Sequence, residues 1–203
     1  MKKAIFLAAA LLGIALPAPA QVLGPEELVR RVTQEVLDAI KSDAQLAAGD
    51  RQKMLKLAED KVLPHIDFGE AARLALGRSW ARATPEQRKQ VVAEFLAMLV
   101  RTYASAIDAY RGQTLQVLPV RMKPADTDVT VRNRYLRPGA TPVAIEYQMH
   151  KTAQGWKIYD IVVEGVSLVI TYRSEFDAVV KQDGIEGLIR RLAEKNTPPP
   201  LPG

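Results

Sequence analysis

Residues 156–176 read WKIYDIVVEGVSLVITYRSEF. The stretch opens with aromatic and β-branched side chains, the chemistry of a strand. Gly165 interrupts it, and a second apolar run passes into a helical pattern that takes in Tyr172 and Phe176. No catalytic cluster lies along the way. A run this apolar and aromatic has to face something other than water. That something is either a packed core or the wall of a cavity holding an apolar ligand.

Upstream of this stretch the pattern is β. Strands are expected over 115–122, 128–136, 141–151 and 156–164. Arg137-Pro138-Gly139 and Thr152-Ala153-Gln154-Gly155 carry turn chemistry, so the last three strands form an antiparallel meander. Alternation places Val129, Val131 and Tyr135 on one face, with Val143, Ile145, Tyr147 and Met149 likewise. The intervening Thr130, Arg132, Arg134, Glu146 and Gln148 are polar, so one face is apolar and the other wet. Pro119 marks the first strand as an edge or a bulge.

Before the strands, residues 25–111 read as helices. Pro25, Glu26 and Glu27 suit a helix start, followed by Leu28, Val29, Val32, Val36, Leu37 and Ile40 at helical spacing. A second helix runs from about Asp50 and stops near Pro64, and a short third lies between Asp67 and Gly77. Thr84-Pro85-Glu86-Gln87 is a capping box with proline at the first helical position. The helix it starts is apolar around much of its girth, which predicts wide burial. After the strands, helix is expected over 167–181 and 185–195, broken at Gly184. This order predicts an α+β fold: helices on one face of a curved antiparallel four-stranded sheet, cone-like, with an apolar interior.

The chain has 203 residues. Lys2 and Lys3, the apolar run 4–16, Pro17 and Ala18-Pro19-Ala20 have the layout of a secretory signal peptide cleaved before Gln21. The apolar run is shorter than the about 20 residues needed to span a bilayer. Three segments are therefore expected: a cleaved leader 1–20, a single domain 21–196 and a Pro-rich tail 197–203. There is no cysteine, which excludes disulfides and thiol chemistry and suits a periplasmic protein stabilised by its apolar core. The formal charge of +5 falls to about +3 without the leader, with no cationic block of the kind that binds nucleic acid.

Few residues offer chemistry. His65 and His150 lie far apart and in no metal-ligand spacing, so a loop histidine and a strand-end histidine are expected. No nucleophile motif or phosphate loop occurs. Tyr103, Asp108, Tyr110, Tyr159 and Asp160 are candidates for an oxyanion hole of the kind found in small cone-shaped enzymes. Packing tyrosines and a paired aspartate account for the same residues, with Arg73, Arg78 or Arg101 as partners for Asp160. Neither a metal nor a cofactor is expected.

Several stretches together resemble the MlaC family of toluene-tolerance, ABC-transporter-associated proteins. They are 62–68 (VLPHIDF), 75–80 (ALGRSW), 83–88 (ATPEQR), the helix through Phe95, Leu99 and 101–104 (RTYA), 156–160 (WKIYD), 164–169 (EGVSLV), 172–176 (YRSEF) and 184–189 (GIEGLI). The resemblance implies a periplasmic phospholipid carrier without catalytic residues. It would be a monomer exchanging glycerophospholipid with an inner-membrane ABC transporter complex and an outer-membrane lipoprotein–porin complex, in support of outer-membrane lipid asymmetry. A hopanoid carrier and a small cone-fold enzyme acting on a hydrophobic substrate remain as alternatives. Alternation selects the expected lipid-facing residues: Leu99, Tyr103 and Ile107 on the long helix; Val129, Val131, Val143, Ile145, Tyr147, Ile161 and Val163 on the sheet; Val166 and Val169 after it. Arg132 and Arg134 could meet a phosphate, though alternation turns them to solvent.

Overall fold

The computed structural model describes residues 23–108, 114–137 and 139–197, with the side chains of 103–108 excepted. The expected leader and nearly all of the expected tail lie outside these residues.

Helix α1 (Pro25–Ser42) begins at the expected proline. The single turn α2 (Ala44–Ala47) is capped by Asp43, whose carboxylate accepts from the Gln45 and Leu46 N–H groups. Helix α3 (Arg51–Lys61) is capped by Asp50, and a 3-10 turn over Leu63–His65 follows it. Helix α4 (Phe68–Leu76) is capped by Asp67 and closed by Gly77. Helix α5 (Pro85–Asp108) opens with the capping box. The Thr84 N–H donates to Gln87 Oε1 at 3.0 Å and the Gln87 N–H donates to Thr84 Oγ1 at 3.2 Å, so two groups with no partner inside the helix are satisfied reciprocally.

Strands β1 (Thr114–Val117), β2 (Asp128–Leu136), β3 (Val143–Thr152), β4 (Gly155–Val163) and β5 (Val166–Ser167) form one antiparallel meander in sequence order. The expected four strands become five, because Glu164 (φ 49°) and Gly165 (φ 81°) are both left-handed. That conformation makes a two-residue hairpin and pairs Val163 with Val166. Glu164 is held there by its carboxylate, which accepts from the Ala144 N–H. β1 ends two residues before Pro119, at the edge of the sheet.

A register shift between β3 and β4 sets which side chains face the helices. Gln148 pairs with Asp160 but Met149 pairs with Ile158, so Tyr159 is an extra residue in β4. Such a bulge reverses the strand's parity. Ile158 and Ile161 consequently face the same side although three residues apart.

Helix α6 (Leu168–Asn196) is capped by Ser167 and broken at Gly184 (φ 71°, ψ −177°), a conformation nearly confined to glycine. It packs with α4 and α5 around Val91, Phe95, Phe176, Leu188 and Leu192. Phe95 meets Tyr172 and Phe176 edge-on, with ring centres 5.1 and 5.2 Å apart. A separate core joins α1 to the sheet through Leu28, Val29, Val117, Val131, Met149 and Trp156. A third, small core unites α1, α2 and α3 around Ile40, Leu46 and Met54. The wide burial expected for α5 is met by helices: its core residues face α4 and α6, and α1 is the helix that lies on the sheet.

Candidate functional site: an apolar cleft between the first helix and the sheet

The apolar stripe of α1 does not close completely on the sheet. A cleft of about 250 Å³ remains between them. Val32, Thr33, Val36 and Leu37 form its helical wall, beyond the close contacts of Leu28 and Val29. Leu115, Tyr135, Tyr147, Met149, Ile158 and Ile161 form the sheet wall, and Val62 and His65 close one edge. Among the described residues, no Asp, Glu, Lys or Arg lines it.

Burial biases two titratable side chains of the cleft toward their neutral forms. Tyr147 is half-buried and lines the cleft, and desolvation pushes its phenol up to about 12. His65 is held below the usual histidine range first by burial, then by the charges of Lys157 and Arg31, with Glu35 opposing. A neutral imidazole is thereby favoured. Charges gather just outside this edge. Glu35 accepts from Arg31 Nε and from Lys61 Nζ, each at 3.0 Å, and its carboxyl is held low by Lys61 first and Arg31 second. Lys157 Nζ donates to the Pro64 carbonyl at 2.5 Å.

The residues expected to face lipid are dispersed. Tyr147 and Ile161 line the cleft. Val131 is fully buried in the core beneath it, and Val129 packs on that core. Val143 and Ile145 are half-buried on the same sheet face, cross-strand from Tyr135 and Asn133. Leu99 and Val169 belong to the helical core with Phe95 and Phe176, because α5 packs on α6 and not across the sheet. Val163 and Val166 are 36% and 59% exposed, since the hairpin carries them to the surface. Tyr103 and Ile107 are on α5, with side chains outside the described residues.

The oxyanion-hole candidates are placed elsewhere. Tyr159 stands on the opposite, polar face with Thr130, Arg132 and Gln148, its ring 5.2 Å from that of His150. Asp160 needs no arginine: it accepts from Ser167 Oγ at 2.5 Å and from the Val169 N–H at 3.0 Å, at the start of α6. Tyr103, Asp108 and Tyr110 have side chains outside the described residues. His150 Nε2 lies 3.0 Å from Asp67 Oδ2 and ties α4 to the sheet. Arg132 engages Glu146 at 3.2 Å, and Arg134 is exposed.

The cleft residues that sequence reasoning missed are those of α1, together with Val62, His65, Thr114, Leu115, Tyr135, Met149 and Ile158. Their signal is present in part. Tyr135 and Met149 share the parity of the expected lipid-facing residues, and α1 shows the stripe but not what it faces.

A meander whose apolar face is roofed by α1, with an uncharged cleft between, defines an α+β fold with a candidate site for an apolar ligand. The family model described as "MlaC protein" matches residues 30–194. The chain belongs to the MlaC family. It is 20% identical over 178 residues to the intermembrane phospholipid transport system binding protein MlaC of Haemophilus influenzae, covering 86% of this chain and 83% of that protein. It is 19% identical over 161 residues to the toluene tolerance protein ttg2D of Pseudomonas putida, covering 79% and 74%. Among solved structures it matches the phospholipid-binding protein of Ralstonia solanacearum in complex with a phospholipid, with a TM-score of 0.78 and 39% identity over 86% of this chain and 97% of that one.

Proposed function

We propose that this chain is a periplasmic phospholipid carrier whose ligand's acyl chains occupy the cleft between α1 and the sheet. The observation that carries the reading is the uncharged lining of that cleft, in a chain closely similar to a protein solved with phospholipid bound. A two-chain phospholipid has on the order of 30 methylene groups, each costing about 0.8 kcal/mol to expose to water. Transfer between membranes therefore requires a dry enclosure, and needs no chemistry. The cleft's about 250 Å³ is below the roughly 300–1,000 Å³ of small-molecule sites, so a two-chain lipid entails α1 moving outward from the sheet. The headgroup phosphate would then meet Arg31, Lys61 and Lys157 at the His65 edge. The leader at 1–20 directs export, and among the described residues no helix is long and apolar enough to cross a membrane. The partners in exchange are an inner-membrane ABC transporter complex and an outer-membrane lipoprotein–porin complex. An enzymatic reading draws no support from Tyr159 and Asp160, which face away from the cleft or hold α6.

Native mass spectrometry with lipid extraction tests the proposal. The expected result is glycerophospholipid at a fixed ratio to the purified protein. A protein free of lipid, or one loaded with hopanoid, would overturn it.

A further inference from the structure

Two of the sequence stretches that carry the family resemblance, 75–80 and 172–176, meet at a surface that shares no residue with the cleft. Between the end of α4 and the middle of α6 lies a concavity of about 620 Å³ containing Arg78, Arg82, Arg173, Lys181 and one carboxylate, Asp177. Lys181 engages Asp177 at 2.6 Å, and Arg82 Nη2 donates to Ser79 Oγ at 2.9 Å. Arg78 and Arg173 have no carboxylate within ion-pairing distance among the described residues. Arg173 lies over Gly77, where an added Cβ would come within 3.0 Å of its Nε. The Asp177 carboxyl is held low by Lys181 first, and then by Arg78 and Arg173. A second carboxylate brought into this concavity would meet the same guanidinium groups.

The exposed face of α6 continues beyond the cations. Ile170, Ser174, Asp177 and Lys181 lie along one side of the helix over about 16 Å. At the end nearest the β4–β5 hairpin, Ile170 is 57% exposed, beside Val166 at 59% and Val163 at 36%. An apolar end thus leads into a cationic concavity.

We propose that this face of α6 docks a partner protein through a segment that is both acidic and apolar. The concavity favours a protein over a membrane. The exposed guanidinium forks of Arg78, Arg82 and Arg173 border a concavity, where they can receive projecting carboxylates with bidentate geometry. A plane of lipid phosphates would instead meet the exposed Asp177 in the middle of the face with like charge. The inference does not depend on what fills the cleft between α1 and the sheet.

The test is fluorescence anisotropy of a labelled peptide, Glu-Leu-Glu-Glu-Leu-Glu, titrated with the purified protein, alongside co-sedimentation with vesicles of phosphatidylcholine containing phosphatidylglycerol. Saturable peptide binding is expected, weakened about fivefold or more by Arg78→Glu with Arg173→Glu, weakened by Ile170→Ser and by raised salt, and unchanged by Arg132→Glu. If Arg173→Glu disturbs folding through Gly77, Arg78→Glu alone carries the comparison. Equal binding by the variants would overturn the proposal. So would vesicle binding lost in these variants without any peptide binding. Lipid content measured on the same preparations separates a failure here from a failure of the carrier reading, since these substitutions do not touch the cleft.

Discussion

Tyr147 shows most plainly what the cleft does to a side chain. Its phenol, ordinarily near 10, is pushed up to about 12 because the phenolate would lie among apolar groups. The fold therefore retains a proton that the unfolded chain gives up earlier. The associated stability is fully present below about pH 10 and is lost as pH rises through about 12, on the order of 3 kcal/mol in all. Denaturant titrations of wild type and Tyr147→Phe should run parallel up to pH 10, and wild type should lose stability relative to the variant above it. Parallel curves throughout would show that the phenol is solvated. Val32 supplies the complementary test from the helical wall. Val32→Asp places a charge in the cleft beside solvent, so far-UV circular dichroism should be retained while co-purified lipid is lost. Full lipid loading of this variant would remove α1 from the account. At this scale the sequence was readable where one strand's alternation decides the outcome, as for Tyr147. It was not readable for Ile158, whose orientation depends on a bulge created by pairing with β3.

Among the elements, α6 depends on a capping arrangement that spans two strands. The Asp160 carboxylate takes the Val169 N–H and the Ser167 hydroxyl, adding a negative charge at the positive end of the helix. Asp160→Ala should cost about 1–2 kcal/mol in equilibrium unfolding, and Asp160→Asn markedly less. Equal losses for both would show that the charge, not the acceptor, matters. Local chemistry made most element boundaries legible beforehand: Asp50, Asp67, the Thr84–Gln87 box, Gly77 and Gly184 each act within a turn of their own position. The hairpin at Glu164-Gly165 was not, because it places a glutamate in the left-handed region and is held by a hydrogen bond to Ala144 on another strand. Nor could periodicity choose which helix roofs the sheet. Both α1 and α5 carry enough apolar surface, and the broader stripe of α5 is taken up by α4 and α6.

For the molecule as a whole, two large apolar interiors with different fates result from this division. The helical interior is filled by interlocked aromatic rings around Phe95. The interior between α1 and the sheet is incompletely filled and lined without charge. Of the two, it is the one that can admit acyl chains without breaking an aromatic cluster. A phospholipid bearing a photoactivatable group on an acyl chain, loaded into the protein, irradiated and mapped by peptide mass spectrometry, tests this directly. The account predicts adducts on α1 around Val32 and Val36 and on the facing strands around Tyr147 and Ile161. Adducts concentrated instead around Leu99, Val169 and Phe176, or confined to the exposed Val163–Val166 hairpin, would contradict it.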